Sequence, residues 1–282
     1  MPELPEVEVF RRSLIRDGLV GSRIEGVDVV RPSTVKEPSP EMLADRLRGL
    51  VVRDVSRRGK FLVVDVREGS LVFHMGMTGT PRIELASEAP SPYTRVAIRL
   101  DDGRELRFID PRVFGSIRLV ADTRDLLANL GPEPLAEDLA PNPEFGVRFL
   151  EERLKNRRTP AKALLLDQGI AAGVGNIYAD ESLFVARLHP GRPAGSLDRD
   201  EIRKLREAIV SSLAYAIRSL DAMGPLGVFV APPTEGFKEA LEFLKVPRND
   251  GSACTACGTP IQRIVIVGRG TYSCPSCQVQ TP

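Results

Sequence analysis

The sequence opens with Met1-Pro2-Glu3-Leu4-Pro5-Glu6, in which a proline directly follows the initiator methionine. Methionine is normally removed before a residue as small as proline, so we expect Pro2 to carry a free secondary amine. An α-amino group has an ordinary pKa of about 7.7–8.0, and part of it is therefore neutral and nucleophilic at cellular pH. Such amines attack sugar or carbonyl carbons to form Schiff bases, and Glu3 and Glu6 could transfer protons beside one.

The same six residues also suit the start of an ordinary helix. Pro5 fits the first turn, and Glu6 would lie at the positive end of the helix dipole. Apolar residues recur at helical spacing as far as Leu14, and Gly18 is a fitting stop. This pattern predicts a helix over residues 3–17, so the segment alone leaves a structural and a catalytic role both open.

Length and composition narrow the class of protein. The chain has 282 residues with 42% hydrophobic content, which supports one large domain or two of ordinary size. No apolar run approaches the roughly 20 residues of a membrane span, and no secretory leader is visible, so we expect a cytoplasmic protein. The net charge is only +1. Any contact with a polyanion must therefore come from a local group of charges.

One stretch is locally basic. Residues 153–162 contain five basic side chains and no acid: Arg153, Lys155, Arg157, Arg158 and Lys162. The stretch suits a nucleic-acid contact or an ordinary solvated face, and the sequence leaves both open.

The first half of the chain is rich in short runs that alternate apolar and polar residues. This alternation predicts half-buried antiparallel strands. They cover residues 23–30, 50–56, 61–66, 70–75, 94–100, 105–109 and 116–120. A short helix is predicted over 41–47. Without long helices between the strands, a β-sandwich or barrel with flanking helices is favoured over a parallel sheet.

The composition changes near Gly131. Proline and acidic residues are concentrated up to Pro143, which is typical of a linker. Helical periodicity follows, with helices predicted over 145–154, 161–168 and 198–220. Asp198 and Glu201 suit a capping box at the start of the last of these.

All four cysteines lie near the C-terminus. Cys254-x2-Cys257 and Cys274-x2-Cys277 are separated by sixteen residues. Two such knuckles supply four thiolates in a tetrahedron around Zn²⁺, with no position open for substrate, which predicts one structural zinc ion. Two disulfides or free thiols are the alternatives, but clustered cysteines in a reducing compartment favour metal.

Several loops carry residue types that suit nucleic-acid contacts. Glycines before Asn176 could let a phosphate approach a helix start, although such glycines usually serve helix turns. Arg269, near a predicted hairpin turn, and Lys60, in a tight turn, could each meet a phosphate or be merely exposed. The loops at 74–79 and 110–115 could display an apolar wedge for a base stack, or their large side chains could be ordinary core.

Taken together and in this order, these motifs resemble those of the bacterial formamidopyrimidine-DNA glycosylases. The resemblance runs across nearly the whole chain. It rests on the Pro2–Glu8 start, Arg57-Arg58-Gly59-Lys60, residues 74–79, residues 110–115, Gly131-Pro132-Glu133-Pro134, the 173–181 stretch and the cysteine module with Arg269-Gly-Thr271.

The resemblance implies a multidomain α+β fold with DNA bound between its halves. Its parts would be an N-terminal catalytic antiparallel β-sandwich with flanking helices (1–131), a linker (132–144), a helix–two-turn–helix DNA-binding domain with a lesion-capping loop (145–245) and a β-hairpin zinc finger (246–282). A monomer is expected, since no separate association surface is visible.

The resemblance also implies a reaction and its residues. The enzyme would excise oxidised purines such as 8-oxoguanine and formamidopyrimidines from duplex DNA, then cleave the abasic strand by β,δ-elimination. The catalytic set is Pro2 as the Schiff-base nucleophile, Glu3 for proton transfer, and Lys60 and Arg269. Glu6 would support the site, His74 and Asn176 would join Lys60 and Arg269 in holding phosphates around the lesion, and Met77, Arg112 and Phe114 would fill the gap left by the extruded nucleotide.

Two rival functions remain open at this point. The 223–236 region, which resembles the lesion-capping segment, and residues 246–251 diverge from the family pattern, so an endonuclease VIII-like enzyme for oxidised pyrimidines is one alternative. Leu4 and the set Met77, Arg112 and Phe114 favour the purine branch. A non-catalytic zinc-finger DNA-binding protein is the other alternative, and the presence of Pro2 and Glu3 argues against it.

Overall fold

The computed structural model describes residues 1–136, 138–223 and 242–280. The chain forms two compact units, one built on Met1–Ala128 and the other on Asn129–Ser219 with the cysteine module. The predicted lesion-capping segment lies, beyond Met223, outside the described residues. Within the described residues, no helix combines the length and apolar character needed to cross a bilayer.

The first unit is a β-sandwich with flanking helices. Its helices are α1 (Leu4–Arg16), α2 (Pro40–Leu47) and α3 (Arg124–Leu127). Its strands are β1 (Ile24–Val29), β2 (Val35–Glu37), β3 (Val52–Arg58), β4 (Phe61–Val66), β5 (Gly69–His74), β6 (Thr80–Leu85), β7 (Thr94–Leu100), β8 (Arg104–Ile109) and β9 (Ser116–Val120). One sheet has the order β1-β7-β8-β6 and the other β2-β9-β5-β4-β3.

The two sheets enclose an apolar core. Phe73 of β5 and Phe108 of β8 come from opposite sheets, and their ring centroids lie 5.7 Å apart. Both side chains are almost wholly buried, as are Val64 and Ile117. Helix α1 packs against β3, β4 and β6. Burial of its apolar stripe, rather than helix propensity, therefore fixes the position of the N-terminus.

All seven strands predicted from alternation are confirmed, but β2 and β6 were missed. Strand β6 contains Pro81, which lacks a backbone N–H, so its sequence argues against a strand. The strand lies at the edge of its sheet and pairs only with β8, so this missing donor is tolerated.

The second unit is helical and ends in a β-hairpin. Its helices are α4 (Val147–Leu154), α5 (Ala161–Leu165), α6 (Asn176–Val185) and α7 (Arg199–Met223), and the hairpin strands are β10 (Gln262–Ile266) and β11 (Arg269–Ser273). The proline-rich segment is packed within this unit: Leu135 is buried, and the Gly131 N–H donates to the Gln168 carbonyl at 2.9 Å.

The predicted capping box of α7 is confirmed. The Glu201 N–H donates to Asp198 Oδ1 at 2.8 Å, and the Asp198 N–H donates to Glu201 Oε2 at 2.9 Å. Each bond satisfies an amide that the first helical turn cannot pair internally.

Replacing the cap should weaken the second unit measurably. Asp198→Ala removes the side-chain acceptor and is expected to lower the free energy of unfolding by about 1 kcal/mol. The midpoint of urea unfolding measures this loss. Asp200→Ala, an exposed acid in the same helical turn, is the matched control, and an equal loss in both variants would contradict the capping role.

Candidate active site and zinc centre

The N-terminal residues are buried where α1 begins. Pro2, Glu3 and Glu6 are all buried, and Leu4 is fully enclosed. Glu3 is the N-cap residue, and its backbone N–H donates to Glu6 Oε2 at 2.8 Å. Glu6 therefore fixes the backbone of Glu3 and, with it, the start of the helix.

The amino terminus lies in a charged but desolvated environment. Burial lowers the pKa of the Met1 amino group below its ordinary value, and the charges of Lys60 and Arg112 lower it further. Glu3 and Glu6 oppose this shift by favouring the protonated amine. The balance favours the neutral amine, the form that acts as a nucleophile. The predicted residues Glu3, Glu6, Lys60 and Arg112 thus share the electrostatic environment of the amino terminus.

Lys60 lies in the turn between β3 and β4 and is only 8% exposed, so the solvated alternative is wrong. Arg57 supports this turn, since its Nη1 donates to the Gly59 carbonyl at 3.2 Å. Arg57 Nε in turn donates to Glu8 of α1 at 3.2 Å. The ion pair ties the Lys60 turn to the helix that carries the N-terminus.

The two glycine-containing loops of the first unit contact each other. Thr78 Oγ1 donates to Asp110 Oδ1 at 2.5 Å, and the Gly115 N–H donates to Asp110 Oδ2 at 2.7 Å. Gly76 has a φ of +56°, and a Cβ there would lie 2.3 Å from the Phe114 carbonyl carbon. Only glycine permits this approach, so the buried Asp110 and Gly76 hold the loops together.

These loops display the three predicted gap-filling side chains. Met77 is 40% exposed and Phe114 is 56% exposed, so the alternative that they are core residues is wrong. The Arg112 guanidinium lies over the Phe114 ring at 4.9 Å. Val113 between them has a φ of +56°, a strained value for a β-branched residue. Such strain is typical of a loop whose shape is held by its surroundings.

His74 closes the same region at the end of β5. Its ring lies 5.0 Å from that of Phe61, and its Nδ1 accepts the Gly76 N–H at 3.2 Å. Burial lowers the pKa of His74, and the positive charges of Lys60 and Arg118 lower it further. The ring is therefore neutral near pH 7, with its proton on Nε2 because Nδ1 is an acceptor. His74 can donate one neutral hydrogen bond.

In the second unit, Asn176 begins α6, where the helix dipole favours an anion. Its Nδ2 donates to the Gly270 carbonyl of the hairpin at 3.1 Å. Arg269, the residue before Gly270, is exposed and follows a turn in which Val267 and Gly268 have positive φ. Two of the predicted phosphate-binding residues are thus joined through one carbonyl.

Lys162 corrects the interpretation of the basic stretch. Its side chain is 0% exposed and pairs with Asp180 of α6 at 2.8 Å. A buried, paired ammonium belongs neither to a solvated face nor to a DNA-binding surface. The other four basic residues of the stretch are exposed.

A second buried acid, Glu181, was also missed by the sequence analysis. Its carboxylate accepts the backbone N–H groups of Lys245 at 2.9 Å and Val246 at 2.8 Å. Burial raises the pKa of Glu181 to about 7 against the opposing effect of these bonds. The only sequence signal for Asp180 and Glu181 was a pair of adjacent acids within a mainly apolar helix.

The four predicted cysteines come together at the end of the second unit. Their sulfur atoms all lie within 4.8 Å of one another, with 4.0 Å between Cys254 and Cys277 and 3.5 Å between Cys257 and Cys274. A tetrahedron of sulfurs at about 2.3 Å from zinc has edges of about 3.8 Å, so the arrangement fits Zn²⁺. The site is a structural one with four cysteine ligands.

The zinc centre packs on the helical part of its own unit. Cys254 and Cys274 belong to a buried cluster with Phe184, Val246 and Ile261. Gln278 adds a polar bridge, because its Nε2 donates to the Leu188 carbonyl at 2.9 Å and its Oε1 accepts the Cys274 N–H at 3.0 Å. The finger is therefore docked on α6 as well as held by metal.

Three protein-family models match the chain in succession. Residues 1–117 match the formamidopyrimidine-DNA glycosylase N-terminal domain, residues 130–224 its H2TH domain, and residues 251–279 a zinc finger found in FPG and IleRS. The formamidopyrimidine-DNA glycosylase of Geobacillus kaustophilus is 42% identical over 99% of this chain and 100% of its own. That of Geobacter sulfurreducens is 41% identical with the same coverage.

Solved structures agree with these matches. The MutM (FPG) protein of Thermus thermophilus is 40% identical and superposes with a TM-score of 0.80 over 100% of both chains. The Lactococcus lactis enzyme, bound non-covalently to DNA containing an abasic site, is 31% identical with a TM-score of 0.83. That match covers 99% of this chain and 100% of the other.

Removing the metal should unfold the finger. Zinc contributes on the order of 10 kcal/mol to the folding of such modules, and four thiolates without it repel one another. Chelation is expected to release one zinc ion per chain and to change the emission of Tyr272, which packs against the cluster. Cys274→Ser should reproduce the change without a chelator. Release of zinc with unchanged tyrosine emission and unchanged thermal midpoint would contradict this role.

Proposed function

This chain belongs to the formamidopyrimidine-DNA glycosylase family, and we propose that it excises oxidised purines from duplex DNA through a Schiff base formed at Pro2. It is a bifunctional enzyme that combines DNA glycosylase and abasic-site lyase activities in base excision repair. The observation that carries the assignment of Pro2 is its burial at the start of α1, beside the buried acids Glu3 and Glu6.

Removal of Met1 converts the Pro2 nitrogen from an amide into a secondary amine. That nitrogen lies in a buried segment, where desolvation disfavours the charged form of an amine. The neutral amine attacks C1′ of the damaged nucleotide, the glycosidic bond breaks, and the base leaves with the bonding electrons. Loss of the amine proton, followed by opening of the sugar ring with protonation of the ring oxygen, then gives a C1′ iminium ion, which is a cationic Schiff base.

Glu3 is placed by its backbone to move protons during these steps. The residue is 2% exposed, and the bond from its N–H to Glu6 holds it next to the nucleophile. We propose that its carboxyl group protonates the sugar ring oxygen as the ring opens. A positioned general acid of this kind contributes about 10²–10⁴-fold to a rate.

The iminium ion also prepares strand cleavage. It withdraws electrons from C2′, so a C2′ proton is removed and the 3′ phosphate leaves in a β-elimination. A second elimination expels the 5′ phosphate and releases the sugar fragment. One covalent intermediate therefore serves both base loss and cleavage of the strand.

Each unit, taken by itself, carries groups suited to binding DNA phosphates. In the first unit, Lys60 offers a charged donor and the neutral ring of His74 a single N–H donor. In the second unit, Arg269 offers a guanidinium, and Asn176 begins α6 at the positive end of its dipole. Phosphate contacts of this kind set the position of the enzyme on DNA rather than its base preference.

Extrusion of a nucleotide leaves a gap in the base stack. Met77, Arg112 and Phe114 project from two mutually braced loops, which suits them to fill that gap. Flipping a base costs a few kcal/mol, and apolar side chains inserted into the stack offset part of that cost. We propose that Arg112 faces the base left unpaired, with cytosine preferred because its O2 and N3 accept hydrogen bonds.

We further propose an oligomeric state, a cellular location and a division into domains for the enzyme. It acts as a monomer in the bacterial cytoplasm, on nucleoid DNA. Its parts are a catalytic sandwich (1–131), a linker (132–144), a DNA-binding helical domain with a lesion-capping loop (145–245) and a zinc finger (246–282). The zinc ion supports this function structurally and takes no part in the reaction.

Trapping with borohydride tests the nucleophile. The reagent transfers hydride to the iminium carbon and should link the chain covalently to a duplex containing 8-oxoguanine opposite cytosine. Pro2→Gly should lower the rate of trapping strongly while changing affinity little, and Glu3→Gln should lower base release without abolishing binding. Mass spectrometry must first establish that each preparation begins at residue 2.

The same assay separates the rival functions. Efficient trapping on thymine glycol rather than 8-oxoguanine would move the specificity to oxidised pyrimidines. Absence of any adduct from a chain that begins at Pro2 would contradict the enzymatic proposal and favour a DNA-binding protein.

Arg112→Ala tests recognition of the opposite base. Loss of the guanidinium should reduce discrimination between cytosine and adenine opposite the lesion by about 1–3 kcal/mol. Arg99→Ala, which changes another exposed arginine of the first unit, is the control. Equal discrimination in Arg112→Ala and the unmodified enzyme would contradict the assignment.

A further inference from the structure

We propose that Asp180 is a positioning residue that holds Arg269 and Asn176 in place for DNA binding. The inference rests on the proposed function, because it needs Arg269 to contact a phosphate. It concerns only the second unit, and it gives a function to a buried acid that contacts neither of the two residues directly.

Asp180 connects three separate parts of the second unit. Its side chain is fully buried on α6. One carboxylate oxygen lies 2.8 Å from Nζ of Lys162 on α5. The other accepts from Arg248 Nη1 at 2.7 Å and from the Tyr272 N–H of β11 at 3.2 Å.

Lys162 extends this connection to the hairpin turn. Its Nζ donates to Thr271 Oγ1 at 2.8 Å and to the Gly270 carbonyl at 3.2 Å. Thr271 Oγ1 then donates to the carbonyl of Arg269 at 3.1 Å. A continuous series of polar contacts therefore runs from Asp180 to the backbone of Arg269.

Asn176 meets the same series at Gly270. Its Nδ2 donates to the Gly270 carbonyl, which thus receives donors from both α5 and α6. This carbonyl lies one residue from Arg269. A shift of the hairpin turn would move Arg269 and withdraw the partner of Asn176 at once.

The carboxylate makes this arrangement possible. A buried ammonium is tolerated only with a counter-ion and hydrogen-bond acceptors around it. Asp180 supplies negative charge to the buried Lys162 ammonium, so loss of that charge disfavours the charged lysine in its present position. A lysine that is neutral or displaced bonds Gly270 and Thr271 more weakly. Arg248, which also lies over the Tyr272 ring at 4.6 Å, loses an anchor at the entrance to the finger.

Glu181 provides a matched control. It is the next residue of the same helix and is similarly buried, but it binds the backbone of Lys245 and Val246 rather than the hairpin turn. Glu181→Gln should therefore reproduce any general weakening of the unit without displacing Arg269.

The experiment measures the salt dependence of binding to a duplex with a tetrahydrofuran abasic analogue. Each Lys or Arg contact with a phosphate contributes about 0.9 to the slope of log K against log[salt]. Asn176 is neutral, so this slope reports Arg269 rather than Asn176. The variants are Arg269→Ala, Asp180→Asn, Glu181→Gln and the double variant Asp180→Asn/Arg269→Ala, each first shown to hold one zinc ion per chain.

We expect Arg269→Ala and Asp180→Asn each to reduce the slope by about 0.9, and the double variant to reduce it no further. Glu181→Gln should keep the unmodified slope. The enzyme concentration for half-saturation should rise in Asp180→Asn as it does in Arg269→Ala. An unchanged slope in Asp180→Asn, or additive losses in the double variant, would overturn the inference.

Further measurements distinguish a failure of this inference from a failure of the proposed function. If Asp180→Asn fails to hold zinc, Thr271→Val takes its place, because it removes only the hydroxyl between Lys162 and Arg269. We expect Thr271→Val to reduce the salt-dependence slope by the same amount. An unmodified enzyme that neither binds nor cleaves the lesion duplex would contradict the proposed function itself. A normal slope in Arg269→Ala alone would overturn this inference while leaving the glycosylase activity standing.

Discussion

Burial of Pro2 at the start of α1 is the constraint on which the proposed chemistry of this protein depends. A charged amine cannot act as a nucleophile, and desolvation is what disfavours its charge. The apolar face of α1, including Leu4 and Val7, is fully buried and fixes that terminus. The Glu6 carboxylate then orients Glu3 through its backbone. Packing, helix capping and acid–base chemistry therefore meet within six residues.

The rest of the first unit supplies the surroundings of the proposed nucleophile. The turn that carries Lys60 is tied to α1 through Arg57 and Glu8. Arginines around Glu8 hold its pKa below the ordinary value despite its burial, so it stays charged near neutral pH. The two loops that carry the proposed gap-filling residues are braced by Asp110, whose carboxylate joins them. The side chains that the Lys60 turn and these two loops carry are therefore held in position by buried polar contacts.

Much of this organisation could be predicted from the sequence. Period-two alternation located seven strands, the spacing of four cysteines located the zinc site, and helical periodicity with Asp198 located α7. These signals are local in sequence. Strand β6 was missed because a strand containing Pro81 is tolerated only at the edge of a sheet. Which strand lies at the edge depends on the order of all the strands, and no local sequence pattern shows that order.

The buried charges were beyond the reach of the sequence for the same reason. Lys162 looked like part of a basic surface because its neighbours in sequence are exposed arginines. Its counter-ion Asp180 is 18 residues away, and Arg248 is a further 68 residues along the chain. Met77 and Phe114 were equally ambiguous, since the exposure of a large apolar side chain depends on what packs over it.

The most direct test of the account is a pH titration of the Pro2 amine itself. Nitrogen-15 labelling of proline in protein that begins at Pro2 would let NMR follow protonation of this one amine. We expect a pKa below the ordinary 7.7–8.0 of an α-amino group, because burial disfavours the charged amine. A pKa at or above that ordinary range would mean that the acids outweigh burial, and it would contradict the claim that the fold prepares a neutral nucleophile.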